Sequence, residues 1–385
     1  VTPTSHALLS ASAAHRWLEC TAAPRFESQF PEGEVSVYAV EGTVAHEVCE
    51  LEGRIAFNDI DSITYMSRLS KLYDRKYFDP EMSVTARAYV DYLKEKALGF
   101  KDEPSVFFET RVDLSKYIPE GFGTCDCIMV GGDRLHITDY KHGKGVAVSA
   151  KNNPQMMLYA LGALELYAPF YDIKTVSMGI CQPRLHADVE EDEMSVEELI
   201  MWGENVVKPA ARAAYDGVGD FQPGEHCRFC KGRAQCRARA EAANSFMIFK
   251  DIPKERLTDS EIGDLLRNAK WLSSWYEDLS DYALKAIMDG KQIDGYKVVE
   301  GRSIRAFRDT DEAFEIIRKA GFDDAMLYDR KPKTLAALEK LVGKKKFSEI
   351  LGDQIVTPAG KPTLADADDR RKEWNSAEAD FKGVF

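Results

Sequence analysis

No stretch of the 385-residue sequence approaches the roughly 20 consecutive apolar residues that a membrane-spanning helix needs, so no bilayer span is expected. The opening segment, VTPTSHALLSASAAHRWLEC, has no basic start followed by an apolar stretch, which is the pattern of a secretory signal. Cysteine is sparse: eight residues cannot build the dense bridges of a small secreted scaffold. A reducing cytoplasm is the expected compartment. Positive charge is in deficit, with 51 Lys and Arg against 64 Asp and Glu. That excludes histone-like wrapping of nucleic acid but allows a narrow basic groove on an acidic body. Solenoid repeats and low-complexity tracts are missing too, so organisation must be read from hydrophobic periodicity.

Helical periodicity opens the chain. Residues 41–56 read as a helix with His46 and Glu50 one turn apart on one face, and 61–103 as mostly helical, notably 81–98. The period then drops to two: 105–114, 122–130 and 134–141 read as strands, the last two joined by the Gly131-Gly132-Asp133 turn. Residues 153–167 are apolar nearly all round and form a buried helix, followed by a β-rich run at 174–182. The order helix, three strands, helix, strand is that of an α/β fold. Its strand-helix-strand step requires a crossover, so the sheet is mixed. The acidic stretch 188–198 reads as a solvated loop leading into a helix at 195–216. Thr258 and Glu261 make a capping box for a helix running to Gly290. A β hairpin at 295–307 and helical hairpins over 311–351 follow. A boundary near 245–258 divides a first domain, 1–245, from a mainly helical second one, 246–385.

The three strands carry the most informative geometry. A hairpin loop at 131–134 places Val130 opposite Leu135, and the same register sets Asp126 opposite Asp139. Cross-strand neighbours have Cβ atoms roughly 4.5–5.5 Å apart, and like charges there are destabilising unless a cation sits between them. Alternation puts Lys141 on the face of Asp139. Two carboxylates and an amine then converge on one spot. Mg²⁺ or Mn²⁺ suits such a set, because hard cations accept one or two carboxylates and keep waters and phosphate oxygens. Phosphodiester hydrolysis is the matching chemistry, with the lysine positioning or activating the water. The plainer alternative is a pair of exposed strand carboxylates with Lys141 as their ion-pair partner, and a one-residue slip would part them.

Gly123-Thr-Cys-Asp126 with Ile137-Thr-Asp139-Tyr-Lys141-His-Gly143 resembles the Asp…(Asp/Glu)-x-Lys core of the PD-(D/E)xK nucleases, in particular their RecB-like branch. The resemblance implies a restriction-endonuclease-like core with helical insertions. Gln155-x-x-x-Tyr159 is similar to that branch's Gln-x-x-x-Tyr motif and implies that both side chains assist at the catalytic site. Gly42-Thr43-x-x-His46-x-x-x-Glu50 resembles the upstream motif, which implies His46 as a metal ligand beside Asp126 and Asp139. By residue type alone, a single helical His is more often structural.

Cysteines supply a second constellation. Cys227-x2-Cys230-x5-Cys236 offers three thiolates within ten residues, and Cys20 is the candidate fourth. Spacing leaves zinc, completed by His226, and an iron–sulfur cluster both open. One cysteine before the nuclease core and three after it resembles the iron–sulfur RecB-like nucleases of the AddB and CRISPR-associated types, and implies a 4Fe–4S cluster that staples the two ends. Those proteins usually carry Pro directly after the first Cys, where this chain has Thr21. Cys125 and Cys127 are expected on the strand face opposite Asp126, and like Cys49 and Cys181 in the core.

Residues 226–239 hold Arg228, Lys231, Arg233, Arg237 and Arg239 with no acid, and Lys144 and Lys151 follow the third strand. Of these, Lys144, Lys151, Arg228 and Arg233 are candidate phosphate contacts. The whole resembles phage and prophage RecB-like nucleases. That implies a metal-dependent DNA exonuclease of recombination or replication in a bacterial or phage-infected cytoplasm, with a phage single-strand-binding or annealing protein as a partner class. The alternative is a catalytically silent nuclease-fold module that binds DNA or protein around a cluster or zinc. Cleavage polarity, DNA against RNA, and oligomeric state are left open by the sequence.

Overall fold

The computed structural model describes residues 7–31, 36–186, 188–245 and 258–299, together with Lys319. The chain divides into two units, Val1–Val299 and Glu300–Phe385, and the architecture below is that of the first. Residues 300–307 of the expected hairpin lie outside the described residues, as do the hairpins of 311–351 apart from Lys319, while 295–299 form no strand.

The first unit begins with short helices α1 (Ala14–Trp17) and α2 (Ala23–Glu27), then α3 (Val37–Ala56), α4 (Ser62–Tyr73) and α5 (Pro80–Leu98). Polar residues start these helices where sequence chemistry places them. Ser36, Asp61 and Asp79 each accept a hydrogen bond from a backbone N–H of the first turn, and Pro80 fills the first position of α5. Strands β1 (Ser105–Asp113), β2 (Phe122–Gly131) and β3 (Arg134–Tyr140) follow, then α6 (Pro154–Tyr167), capped by Asn153, and β4 (Thr175–Cys181). With β5 (Glu190–Ser195) the sheet is five-stranded in the order β1-β2-β3-β4-β5, with β3 and β4 parallel and the other pairs antiparallel. The crossover helix α6 makes that parallel pair possible.

Two expectations need correction here. The β2–β3 turn is two residues long, because Gly131 still pairs with Arg134 while Gly132 takes φ +58. Val130 faces Leu135 as expected, so the register is unchanged. The acidic stretch is not a loop: Glu190–Ser195 form β5, an edge strand. Its carboxylates find partners on both sides. Glu191 meets Tyr92 and Lys96, Glu193 meets Arg134, Glu190 accepts from Ser149, and Asp192 accepts from the Asn152 N–H. Helices α7 (Val196–Trp202) and α8 (Lys208–Asp216) come next, joined by a π-helical turn that precedes Pro209. Then come α9 (Arg237–Ser245) and α10 (Asp259–Met288), the latter opened by the Thr258–Glu261 capping box. Asp278 of α10 pairs with Arg233 and Arg239, which ties this helix to the cysteine segment within the first unit rather than to a separate C-terminal domain.

Two apolar layers sandwich the sheet. One joins α6, α7, α8 and the N-terminal segment to Val112, Cys125, Ile128, Val130, Leu135 and Ile137. The other joins α3, α4 and α5 to Phe108, Cys127, Met129 and Tyr140. Phe108 and Val112 should share a face in an unbroken strand, as should Cys125 and Cys127, yet each pair is split between the layers. Both strands therefore invert their pleat at facing positions, Glu109 and Asp126. Glu109 supplies the means, with a left-handed φ of 48 inside β1. Cys125 and Cys127 are buried as expected but lie on opposite faces. Cys49 and Cys181 are buried thiols of the α3–α5 layer.

Buried His136 sets a pH dependence for the fold. Its Nε2 lies 2.9 Å from Thr138 Oγ1 and 3.1 Å from Tyr92 Oη, which donates to Glu191, and its Nδ1 lies 2.8 Å from Ser177 Oγ. The ring is neutral: burial, then Lys96 and Arg134, hold its pKa well below the ordinary value. Below about pH 6.5 the unfolded chain binds a proton that the folded ring refuses, so stability falls with pH by up to about 1.4 kcal/mol per unit from this group. Carboxylates with raised pKa, Glu109 and Asp139, act in the opposite sense over this window, so the His136 share is read as a difference. In unfolding followed between neutral pH and pH 5, the wild type should lose more stability, or gain less, than His136→Gln.

Candidate metal centre and cysteine cavity

The pleat inversion opens the sheet where β1, β2 and β3 each carry an acid. Asp126 lies one residue beyond the last regular β2–β3 pair, Cys127 with Thr138, and its Oδ2 accepts the Tyr140 N–H at 2.7 Å. A side chain thus replaces a backbone carbonyl as the strands part. From α3, His46 Nδ1 stands 3.3 Å from Asp126 Oδ1, its ring edge-on to Tyr140. Glu109 completes this cluster: the ligand atoms of His46, Glu109 and Asp126 all lie within 4.8 Å of one another.

Asp139 points to the other layer. Lys141 Nζ lies 3.0 Å from its Oδ2 and hydrogen-bonds Oδ1 at 3.2 Å. Gln155 Nε2 also donates to Oδ1, at 3.1 Å, and lies 3.2 Å from Tyr159 Oη. The predicted set of Asp126, Asp139, Lys141, Gln155, Tyr159 and His46 is therefore assembled at one end of the sheet. Gly123 permits this: a Cβ there would fall 2.6 Å from the Tyr159 ring. Glu50, by contrast, is turned away into ion pairs with Arg54 and Arg68.

The electrostatics follow from crowding like charges in a half-dry site. Burial, and next Asp126 against the opposing pull of Lys141, raise the Asp139 pKa. Burial and the Asp126 carboxylate push Glu109 up to about 7. His46 is opposed by burial, but Asp126, supported by Asp139 and Glu109, raises it to about 9. Lys141 is likewise opposed by burial and raised by Asp139, so it stands as an ammonium. Two cations thus offset three acids. Asp139 Oδ2 is buried beside the Lys141 ammonium, 3.0 Å away, which offsets its charge. With carboxylate oxygens and one imidazole as donors, His46, Glu109 and Asp126 fit Mg²⁺ or Mn²⁺. Asp139, the ligand expected opposite Asp126, stands in the adjoining set with Lys141 and Gln155, because the strands part after Cys127 and Thr138. Glu109 escaped the sequence reading. Extending the β1–β2 register to the residue facing Asp126 is the signal that finds it.

At the other constellation, Cys20, Cys227, Cys230 and Cys236 line a single cavity with His226 and Arg239. Backbone N–H groups of Gln222 and Gly224 point to the sulfurs of Cys20 and Cys227, each at 3.4 Å. Such bonds favour thiolates and tune clusters. His226 bonds to Cys20, and that contact raises its pKa. The candidate phosphate contacts divide. Lys144 pairs with Glu81 and Arg233 with Asp278, so both are engaged within the fold, whereas Lys151 and Arg228 are exposed.

The first unit is thus a mixed α/β domain with an acid–imidazole centre at the end of its sheet. The model of the family described as "Protein of unknown function (DUF2800)" matches residues 6–372, and the chain belongs to that family. A solved structure titled "Crystal structure of SSO0001" is similar over 58% of this chain and 96% of its own, at 12% identity and a TM-score of 0.24. At that score the likeness carries no argument about fold or activity.

Divalent binding must displace the His46 proton, since imidazole ligates only when neutral. Mn²⁺ affinity, read by calorimetry or by the metal-induced rise in unfolding midpoint, should therefore strengthen as pH rises toward 9. His46→Gln should remove that dependence above about pH 7, below which Glu109 must also lose its proton to ligate. Glu109→Gln should leave the metal-free protein as stable or more so, while shrinking the metal-induced stabilisation, which reaches about 2.7 kcal/mol at a hundredfold excess over Kd for an intact site.

Proposed function

We propose that this chain is a metal-dependent nuclease of the RecB-like PD-(D/E)xK type that hydrolyses phosphodiester bonds at DNA ends. The observation that carries the reading is the convergence of Asp126, Asp139, Lys141, Gln155 and Tyr159, with His46 and Glu109 behind Asp126, at the one place where the sheet parts. The order helix, three strands, helix, strand supports a restriction-endonuclease-like core, to which β5 adds an edge.

A bound Mg²⁺ or Mn²⁺ would neutralise phosphate charge and supply a water of lowered pKa. Asp126, Glu109 and His46 would hold it, with Asp139 beside them on the adjoining strand. Lys141, kept protonated by Asp139, donates to the attacking water or a phosphate oxygen and steadies developing charge rather than removing a proton. Gln155 fixes the Asp139 carboxylate against rotation and ties it to Tyr159. Each side chain is thus held by another, which is how a site keeps its geometry through a turnover.

Four cysteines lining one cavity, with backbone N–H groups aimed at two of the sulfurs, support a metal staple. The resemblance makes it 4Fe–4S, and His226 in the same cavity keeps zinc as the second reading. By analogy with a disulfide, closing a loop of roughly 200 residues stabilises by about 5 kcal/mol. The resemblance to phage and prophage nucleases extends the proposal to an exonuclease of recombination or replication.

Anaerobically purified protein should shorten end-labelled DNA in Mn²⁺, and Asp139→Ala or Lys141→Ala should slow that by about 10²-fold or more. Undiminished cleavage by Asp139→Ala overturns the assignment. The same preparation should be brown and contain iron and labile sulfide, both lost in Cys20→Ser. Stoichiometric zinc in a colourless protein would replace the cluster by a zinc site.

A further inference from the structure

Between the buried thiols of Cys227 and Cys230 the fold turns two residues outward, Arg228 and Phe229. Phe229 is 48% exposed. The Arg228 guanidinium lies over its ring, 4.4 Å from the centroid, and the exposed His15 imidazole meets the ring at 5.4 Å with the planes at 89°. The turn is firmly held: the Phe229 carbonyl accepts from Arg16 Nη1 at 3.2 Å, and Cys230 N–H bonds back to the Cys227 carbonyl.

A single exposed phenylalanine is ordinary; its company is not. His15, Arg16, Arg228 and His226 gather around it closely enough that, after burial, the other three lower the pKa of His15. On the acidic side Glu27 pairs with Arg16 and Glu19 acts on His226. A flat apolar ring with the Arg228 guanidinium over its face and Arg16 at its carbonyl suits a ligand that is planar on one side and anionic on the other. A nucleotide in a single strand is such a ligand, with its base free to stack and its phosphate beside the cations. Duplex DNA is not, because its bases are already stacked on each other.

One helical segment links the platform to the residues packed around Tyr159. Ala11 lies beside Gly123, against which Tyr159 packs, and four residues on, about 6–8 Å along the helical segment, stands His15. Ala14 and Trp17 bury the same helix in the core that holds Tyr159. We propose that Phe229, with Arg228 on its face and His15 at its edge, is a stacking platform for an unpaired base of a single-stranded nucleic acid. This inference rests on the nuclease reading and adds the strand type the site accepts.

The test uses the full chain without added divalent ion, so that nothing is cleaved. A labelled oligothymidylate of about 12 nucleotides is compared with a blunt duplex of equal length. Phe229→Ala should weaken binding of the single strand roughly 5- to 150-fold and change duplex binding less than about twofold. Phe229→Trp should keep the affinity, with its emission quenched by the single strand, and Arg228→Gln should lower the salt slope by about one. If Phe229→Ala binds the single strand as wild type does, or the bound Trp variant is unquenched, the platform is wrong and the nuclease reading stands. Equal losses on both probes also overturn it. Wild-type protein that binds neither probe overturns platform and nuclease reading together.

Discussion

Repulsion among three acids is the constraint around which this domain is organised. Glu109, Asp126 and Asp139 come from consecutive strands, and burial strips Asp139 of the water that would screen it. The fold tolerates them by bringing one cation from each helical layer. His46 of α3 faces Asp126, and Lys141, held beside Asp139 against α6, faces the other side. Removing either cation would leave a buried carboxylate unpaired, a far larger loss than the pair itself contributes. The crowding is therefore a built condition of the site and not an accident of the surface.

Ordinary strand alternation would confine such a site to one face of the sheet. The pleat inversion at Glu109 and Asp126 removes that limit, so helices from both layers reach the same carboxylates. A left-handed non-glycine residue stores roughly 1–3 kcal/mol of strain, which local packing has to hold in place. Phe108 and Thr110 remain paired on either side of the strained residue, with Cys127 and Cys125, so the distortion is confined to one position.

Which parts were legible in the sequence follows from how local their causes are. Asp126, Asp139 and Lys141 could be brought together on paper because a glycine-rich turn only a few residues away fixes their register. The four cysteines could be grouped by type alone, and one cavity holds them. Glu109 is missed because its strand reads as half polar, and the register that faces it to Asp126 runs across the 114–121 connection, where no tight turn sets it. The inversion also misled the reading of Cys125 and Cys127, which relied on unbroken alternation. The acidic run at 188–198 looked solvated because the partners that pair its charges, Tyr92, Lys96 and Arg134, lie 50 to 100 residues earlier. Lys144 and Arg233 looked free for the same reason, since Glu81 and Asp278 are distant in the chain.

The N-terminal segment has an uncommon set of neighbours. Ala22 donates to the Asp220 carbonyl, Arg25 reaches the Tyr215 carbonyl, and Glu27 accepts from the Lys231 N–H. At a translation speed of about 5–20 residues per second, some 10–40 s pass between the emergence of these residues and that of their partners. Meanwhile the ribosome exposes Trp17 and Phe26 with nothing of their own to cover them. A nascent chain in that interval is a natural client for chaperones.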